Sequence, residues 1–299
     1  METKNRDLLA DVQISSIPAN GISFTFLEKG EGPLILCLHG FPDHAYSFAH
    51  QLDAFAKVGY RVAAPFMRGY DPSGPAPNAQ YHAAYLGQDA VALIEALGYE
   101  KAVLLGHDLG ASAAYAASLI APEKISAVIS CAVPYGPKLF QAMIGDPLQQ
   151  RRSWYVFYFQ TPLAELAIPL NDFDFIDQLW KDWSPKWHYP KAAMDGVKKT
   201  LGRLGVLAAA LGYYRSPFAG VPEDPFLAGV QSRIGTEQIG VPTLYIHGAQ
   251  DGCIGAYICE GMEGLFSGRC EKQIIDGAGH FVHQEVPEEF NRRVLNFIR

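Results

Sequence analysis

The stretch KAVLLGHDLG, residues 101–110, decides the fold that the sequence predicts. Its apolar first half is typical of a buried strand, and the small residues of 110–120 predict a helix directly after it. A G-x-D-x-G sequence at such a junction is typical of a tight strand-to-helix turn that exposes its middle side chain. That side chain is Asp108, which the positive end of the helix dipole would favour as an anion. An aspartate N-cap would fit this segment equally well, so the decision depends on the rest of the chain.

Strand and helix patterns alternate on both sides of this stretch. The predicted strands are 22–30, 34–40, 60–66, 101–107, 125–133, 242–248 and 271–276, and the predicted helices are 47–57, 81–97, 110–120 and 287–299. Such alternation predicts an α/β protein, with a mostly parallel sheet covered by helices on both faces.

Residues 134–238 interrupt the alternation. This segment reads as helices divided by prolines, and it contains all four tryptophans of the chain. It could be more of the same core, but its aromatic content and lack of strand patterns favour a helical lid packed over the sheet edge. The predicted domains are therefore a core in two parts, 1–133 and 239–299, and a lid at 134–238.

Composition excludes several classes of protein. The chain has 299 residues, of which 49% are hydrophobic and 18% charged, so disorder is excluded as its main state. A net charge of −7 argues against a nucleic-acid partner. We expect no membrane association, because no apolar run approaches the ~20 residues of a span, and no secretory signal in residues 1–13. The five cysteines have no paired spacing, which favours a reducing, cytoplasmic location without a zinc motif.

Three residues in chain order suit a covalent hydrolytic mechanism. Asp108 is ionised at neutral pH and needs no base to attack, but the ester that it forms must be cleaved by activated water. His280, in the Gly-rich loop after the last predicted strand, is the candidate base, and His283 is the weaker one. Asp251, in the loop after 242–248, is the candidate partner that orients His280.

A fourth motif, HGFP at 39–42, follows the buried strand 34–40. Loops at this position supply one backbone N–H of an oxyanion hole, and the residue after the nucleophile supplies the other. This assigns the N–H groups of Phe41 and Leu109 as the candidate substrate-binding donors. A plain Gly-Pro turn would explain the motif if it stood alone.

Taken together, these segments resemble the α/β-hydrolase-fold epoxide hydrolases over essentially the whole chain. The resemblance rests on HGFP (39–42), RGY (68–70), GHDLG (106–110), the Asp251 loop, and GAGH (277–280) with EVP (285–287) after it. It implies an α/β-hydrolase fold with a helical lid inserted after the sixth strand. It also implies that a small-molecule epoxide and water react to give a vicinal diol. No metal and no cofactor would be needed, and we expect a monomer or homodimer.

The family protonates the epoxide oxygen with two lid tyrosines. The segment YVFYFQ (155–160) is similar to the first family segment, with Tyr155 as the acid, and GYYR (212–215) is similar to the second, with Tyr214. Tyr158 and Tyr213 remain alternatives. The resemblance also implies a cis peptide bond before Pro42.

Two departures from the family and several rival functions remain. Leu109 stands where the family often has Trp, and Phe66 where an acidic residue is commoner. A haloalkane or haloacid dehalogenase would use the same triad, but Leu109 offers no side-chain donor for a halide or carboxylate. A serine esterase lacks its G-x-S-x-G, and a metal hydrolase would have to use His39, Asp43 and His44. A catalytically inactive binding module is disfavoured by the complete triad.

Overall fold

The structure is a computed structural model that describes residues 8–299. The N-terminal segment 1–13, on which the expectation of no secretory signal rests, lies partly outside the described residues. Within them, eight strands form one sheet in the order β1-β2-β4-β3-β5-β6-β7-β8. The strands are β1 (Gln13–Ala19), β2 (Ile22–Lys29), β3 (Leu34–Leu38), β4 (Arg61–Pro65), β5 (Ala102–His107), β6 (Ile125–Cys131), β7 (Thr243–Gly248) and β8 (Cys270–Ile275).

Strand direction in the sheet is mixed at one edge and parallel elsewhere. Strand β2 pairs antiparallel with both β1 and β4. From β4 to β8 every neighbouring pair is parallel. Strand β5 lies between β3 and β6, and each of its residues is buried. The carboxyl ends of the parallel strands therefore meet at one edge, where α/β proteins place their ligand sites.

Thirteen α-helices connect or follow these strands in the described part of the chain. They are α1 (Ala49–Ala56), α2 (Ala83–Ala96), α3 (Leu109–Ile120), α4 (Lys138–Gly145), α5 (Pro147–Arg152), α6 (Trp154–Tyr158), α7 (Leu163–Ala167), α8 (Leu170–Trp183), α9 (Lys191–Leu201), α10 (Val206–Ala219), α11 (Pro225–Arg233), α12 (Val282–Glu285) and α13 (Pro287–Ile298). Helix α3 is almost entirely buried behind β5, which explains why its sequence consists of small residues.

The fold class predicted from the sequence is confirmed: the sheet is mostly parallel and the order of elements is that of an α/β protein. Strand β1 is the element that the sequence patterns do not predict. It lies at the sheet edge, most of its residues are at least partly exposed, and it contains Pro18. Both features weaken a strand pattern, because edge strands need no continuous apolar face. The predicted helix at 47–57 is divided into a 3₁₀ turn, Ala45–Phe48, and α1.

Between β6 and β7 the regular elements of the described chain are helices, apart from an isolated β-bridge at Ile239. Helix α8 reaches the loops at the carboxyl ends of the parallel strands. There the Trp180 indole N–H donates to the carbonyl of Pro42 at 2.9 Å. The carbonyl of Trp183 accepts from the N–H groups of Gly252 and His280 at 3.0 and 3.2 Å. The tryptophans that mark this segment in the sequence thus hold it against the loops that follow the strands. No helix within residues 8–299 has the length and apolar character to cross a bilayer.

Candidate active site

Asp108 lies in a strained turn between β5 and α3. Its backbone has φ +53° and ψ −118°, a conformation that residues other than glycine rarely adopt. The turn also packs closely against β3. A Cβ on Gly110 would lie only 1.9 Å from the carbonyl O of Leu38. This conformation differs from that of an ordinary N-cap residue, which has extended backbone angles, and fits the tight strand-to-helix turn that the sequence predicts. The side chain is nevertheless buried beneath the helical segment.

Backbone donors surround the Asp108 carboxylate. The N–H of Phe41 donates to Oδ1 at 2.9 Å, and the Phe41–Pro42 peptide bond is cis, which confirms that prediction. The N–H of Leu109 lies in the first turn of α3, where no intrahelical acceptor exists. Gly40 is required for close approach, because a Cβ there would lie 2.3 Å from Oδ1. The two N–H groups are therefore available to an oxygen on the carbon of Asp108.

His280 connects the carboxylates of Asp108 and Asp251. Its Nδ1 lies 2.9 Å from Oδ2 of Asp251, and its Nε2 lies 3.6 Å from Oδ2 of Asp108. The other oxygen of Asp251 accepts from the N–H groups of Cys253 and Ile254 at 2.7 and 2.8 Å. Since a carboxylate only accepts, Nδ1 carries a hydrogen and Nε2 faces Asp108.

Charge and burial act in opposite directions on these three groups. Burial raises the pKa of both aspartates, but the adjacent His280 more than compensates and lowers each pKa below its ordinary value. Burial also opposes the charge of His280, but the Asp251 carboxylate, with Cys253 and Asp108, raises the pKa of His280 well above 6.5. The two carboxylates therefore favour the protonated form of His280, and His280 favours their ionised forms.

The loop that carries His280 is held by residues at the end of α8 and by Glu285, which follows the loop in the chain. The hydroxyl of Ser184, just after α8, accepts from the His280 N–H at 3.0 Å and donates to Oε1 of Glu285 at 2.6 Å. Oε2 of Glu285 accepts from the Gly279 N–H at 2.8 Å. The indole of Trp183 packs edge-on to the His280 ring, with centroids 5.0 Å apart. The helical segment therefore helps to position the candidate base.

Tyr155 and Tyr214 pack against each other beside Phe41. Their rings pack edge-to-face with centroids 5.7 Å apart, and Tyr214 packs in the same way on Phe41 at 5.4 Å. The Tyr155 hydroxyl lies 3.3 Å from Sγ of Cys253. The Tyr214 hydroxyl is buried and has no hydrogen-bond partner among the described residues. This hydroxyl is therefore free to donate a hydrogen bond to a bound ligand.

The two alternative tyrosines have other contacts. Tyr158 stacks on Phe175 at 5.8 Å and is only half-buried. The Tyr213 hydroxyl donates to the carbonyl of Arg68 at 2.8 Å. Arg68 itself makes a buried, bidentate ion pair with Asp89, both N···O distances being 2.6 Å. The RGY motif thus joins the core to helix α10 through Tyr213, while the next residue, Tyr214, packs on Phe41.

His283 and His39 have partners other than Asp251. His283 lies in α12, with Nε2 4.0 Å from Oδ2 of Asp43. The candidate metal set of a metal hydrolase is not assembled, because both ring nitrogens of His39 are engaged. Nδ1 of His39 lies 3.0 Å from the carbonyl oxygen of the next residue, Gly40. Its Nε2 accepts from the N–H of Met67 at 3.1 Å.

Two groups of buried side chains have potential metal-ligand atoms within 4.8 Å of one another. The members of the first are Asp251, Cys253 and His280, and those of the second are His107, Cys131 and His283. The hydrogen bond from His280 to Asp251 accounts for the first group.

Sequence reasoning missed Cys253 and Ser184. Cys253 lies two residues after Asp251, and Ser184 follows Trp183 directly. No spacing rule assigns a thiol or a serine hydroxyl at these positions to an active site. Phe66, one of the departures from the family pattern, packs edge-on to His44 and Tyr46 with centroids 6.3 and 5.8 Å apart. An aromatic contact therefore occupies the position where the family more often has an acidic side chain.

Comparison with known proteins identifies relatives of the chain. The family described as alpha/beta hydrolase fold matches residues 33–287. Epoxide hydrolase 3 of Xenopus tropicalis is 30% identical over 289 residues, which are 94% of this chain and 76% of that protein. Epoxide hydrolase A of Mycobacterium tuberculosis is 30% identical over 321 residues, covering 94% of this chain and 96% of that protein.

A solved structure is similar along almost the whole chain. It is a variant of an epoxide hydrolase from Bacillus megaterium, complexed with its naphthyloxy-propanediol product. The two chains are 25% identical with a TM-score of 0.82, and the match covers 95% of this chain and 99% of that one.

Proposed function

The chain belongs to the α/β-hydrolase-fold epoxide hydrolase family, and from this premise we propose that it converts a hydrophobic epoxide and water into a vicinal diol. One observation carries the proposal. The carboxylate of Asp108, in its strained turn, lies 3.6 Å from Nε2 of His280 and accepts the N–H of Phe41, whose ring packs on Tyr214 and so on the Tyr155–Tyr214 pair. An anionic nucleophile, two neutral acids and a base are what epoxide hydrolysis requires.

The first half-reaction uses Asp108 and the tyrosines. Oδ2 of Asp108 attacks an epoxide carbon, the C–O bond of the ring breaks, and the hydroxyls of Tyr155 and Tyr214 donate to the oxygen as it becomes an alkoxide. Burial keeps the pKa of both tyrosines well above 10, with the negative charge of Asp108 nearby acting in the same direction. Both phenols are therefore protonated and able to donate when the substrate arrives.

The second half-reaction uses His280 and Asp251. Ester formation removes the negative charge of Asp108, so the pKa of His280 falls, and the proton on its Nε2 is given up to the substrate alkoxide, which becomes the first hydroxyl of the diol. Neutral His280 then takes a proton from water, which attacks the ester carbon. The N–H groups of Phe41 and Leu109 stabilise the oxyanion, as preorganised donors do in acyl transfer. Collapse of this intermediate breaks the bond between the ester carbon and Oδ2, the second proton of the water passes to that oxygen, and the diol leaves with the carboxylate of Asp108 restored. The proposed steps use only side chains and backbone N–H groups of this chain, and no cofactor.

We propose that residues 134–238 act as the cap over this site. Tyr155 on α6 and Tyr214 on α10 come from this segment, and Trp180 ties it to the loop of Pro42. The groups that would surround a substrate include the aromatic rings of Phe41, Phe159 and Trp183. This apolar environment supports a hydrophobic epoxide, and the naphthyloxy-propanediol product of the Bacillus megaterium enzyme is consistent with one.

The alternative, a haloalkane or haloacid dehalogenase, is not favoured. Such an enzyme would use the same Asp108, Asp251 and His280. It would also need a donor beside the nucleophile for the departing halide or the substrate carboxylate. The side chain of Leu109 provides none, and the indole N–H of Trp180 already donates to Pro42.

For the whole protein we propose a cytoplasmic enzyme that is active as a monomer or homodimer. All five cysteines are free thiols, as expected in a reducing compartment. The side chains of the proposed mechanism all come from one chain, so catalysis requires no partner subunit.

The experiment that tests the function is turnover of a small substrate panel. A styrene-type epoxide, an aliphatic epoxide, a haloalkane and a p-nitrophenyl ester are each incubated with the protein and with Asp108→Ala. We expect diol from the styrene-type epoxide with the unchanged protein only. Halide release without diol formation would instead identify a dehalogenase. No turnover of any of the four by a folded protein would contradict the proposal.

A further inference from the structure

A second histidine contacts the Asp251 carboxylate, in addition to His280. Nε2 of His247 lies 3.3 Å from Oδ2 of Asp251, the same oxygen that Nδ1 of His280 contacts at 2.9 Å. His247 is completely buried near the end of β7. The mechanism proposed above gives it no part, although a buried polar ring beside a catalytic carboxylate affects both the charge and the position of that carboxylate.

Its two neighbours determine which nitrogen of His247 carries hydrogen. Nε2 lies 3.0 Å from the carbonyl oxygen of Ile254, which only accepts, so Nε2 is the donor. Nδ1 is in contact with the hydroxyl of Tyr245 and is therefore the acceptor in the neutral ring. Burial lowers the pKa of His247, which keeps the ring neutral. A fixed chain of donors thus runs from Tyr245 through His247 to the loop of Asp251.

His247 and Asp251 hold Ile254 from both sides. The N–H of Ile254 donates to Oδ1 of Asp251 at 2.8 Å, and its carbonyl accepts from His247. The turn 251–254 is therefore closed at one end by the carboxylate and at the other by the imidazole. The same turn carries Cys253, whose sulfur lies 3.3 Å from the hydroxyl of Tyr155. A shift of this turn would move both the partner of His280 and a contact of the proposed acid.

We propose that Tyr245 and His247 are positioning residues of the active site: they hold the turn 251–254 so that Asp251 stays aligned with His280. This inference rests on the proposed function, because the step it concerns is hydrolysis of the Asp108 ester. Attack by Asp108 on the epoxide does not use His280 as a base. Loss of the alignment therefore slows the second half-reaction more than the first.

Three variants test the proposal in single turnovers with a styrene-type epoxide. His247→Leu removes both ring nitrogens, and Tyr245→Phe removes only the hydroxyl that fixes the ring. We expect the covalent ester to form at close to the normal rate. We expect its hydrolysis to slow by about 10- to 100-fold in His247→Leu, the order of loss that misplacement of a catalytic group by about 1 Å causes. His247→Gln supplies an N–H and a carbonyl at similar positions and should restore most of the rate.

Two matched controls separate positioning from a general loss of buried hydrogen bonds. His82 is a buried histidine whose Nε2 lies 3.1 Å from the carbonyl of Gly220, and Tyr115 is a buried tyrosine that donates to Ser130 at 2.7 Å. The control variants are His82→Leu and Tyr115→Phe. Both should leave the ratio of the two half-reaction rates unchanged.

A proton NMR measurement gives a readout that does not need turnover. The Nδ1 hydrogen of His280, bonded to a buried carboxylate, gives a far-downfield signal in the unchanged protein. We expect this signal to move or broaden in His247→Leu and Tyr245→Phe and to be retained in His247→Gln. If His247→Leu does not fold, Tyr245→Phe carries the same test with a smaller change.

The turnover and NMR measurements together separate failure of the positioning role from failure of the proposed function. An unchanged signal in folded His247→Leu, or equal slowing of both half-reactions, overturns the positioning role. If the protein opens no epoxide but the signal still moves as expected, the proposed function is wrong, while the alignment of Asp251 by His247 is upheld.

Discussion

Oδ2 of Asp108 lies 3.6 Å from Nε2 of His280, while Oδ1 accepts the N–H of Phe41 at 2.9 Å. The two oxygens of one carboxylate thus have different partners. Oδ1 already lies where an oxyanion would be stabilised, and Oδ2 faces the ionisable ring. This arrangement assigns Oδ2 to the bond with substrate and Oδ1 to the carbonyl of the ester, so that the base lies beside the ester bond that water must cleave.

The first prediction concerns the separation of the two half-reactions. His280→Gln removes the base but leaves Asp108 able to attack, so we expect the ester to form and to persist. The measurement is intact mass after exposure to a styrene-type epoxide, followed by location of the added mass on the peptide that contains Asp108. Asp108→Ala is the control and should gain no mass. An unmodified His280→Gln protein would argue for direct attack of water on the epoxide.

The second prediction concerns the two lid tyrosines. Tyr155→Phe or Tyr214→Phe leaves one donor to the epoxide oxygen, and loss of one preorganised donor typically reduces the rate by about 100- to 1000-fold. The double variant should lose nearly all ring opening, measured as the rate of ester formation in single turnovers.

Tyr158→Phe and Tyr213→Phe are the controls for the tyrosine assignment. Tyr158 stacks on Phe175 away from the nucleophile, and Tyr213 donates to the carbonyl of Arg68. Both variants should retain ring opening, although Tyr213→Phe should be less stable by about 1 kcal/mol for its lost hydrogen bond. Near-normal ring opening in the Tyr155→Phe, Tyr214→Phe double variant would assign the acid to another residue.

The third prediction uses the close approach of Gly40 to the nucleophile. A Cβ at this position would lie 2.3 Å from Oδ1 of Asp108, so Gly40→Ala must displace the carboxylate or the HGFP loop. We expect ester formation to fall by about 100-fold, since a shift of about 1 Å at a reacting group has this effect. Gly229→Ala in α11 is the matched control, because its Cβ would meet no atom within 4 Å. Full activity in Gly40→Ala would place the nucleophile elsewhere.

Much of the site could be predicted from the sequence because its parts are local. The GHDLG turn, the HGFP turn and the GAGH loop each follow a strongly apolar strand, so strand order brings their residues to one sheet edge. Tyr155 and Tyr214 could be identified only by resemblance, since the helical segment has no period that fixes which tyrosine faces inward. Contacts such as Ser184 with His280 join segments almost a hundred residues apart, and no local pattern encodes such pairs. Strand β1 escaped prediction because an edge strand has no continuous apolar face to recognise.

The fourth prediction concerns stability against pH. The pKa of His280 is raised in the folded protein, so its contribution to stability is complete below about 6.5 and is lost as pH rises through the raised value. The pKa values of Asp108 and Asp251 are lowered, so their contribution is present above about 3.9 and is lost as pH falls through those lowered values. Stability should therefore decline at both ends of the pH range.

The measurement is the free energy of unfolding in urea across acid and alkaline pH, for the unchanged protein and for His280→Gln. We expect the variant to show a smaller alkaline decline than the unchanged protein. Asp43, whose pKa burial raises to about 8, is present in both proteins, so the prediction concerns the size of the alkaline decline and not its presence. Parallel curves would mean that His280 is not held as an imidazolium between the carboxylates.

The last prediction follows the oxygen atoms. If Oδ2 of Asp108 forms the ester and water attacks the ester carbon, the bond between that carbon and Oδ2 breaks. The diol then carries away an oxygen of Asp108, and the carboxylate keeps one from water. In a single turnover in heavy-oxygen water, with enzyme in excess, the diol should contain ordinary oxygen and the Asp108 peptide should gain one heavy atom. After the first turnover the attacking oxygen of Asp108 comes from heavy-oxygen water, so the diol of later turnovers should carry the label. A labelled diol with an unlabelled Asp108 peptide in the first turnover would mean that water attacks the epoxide directly, which the position of His280 beside Asp108 argues against.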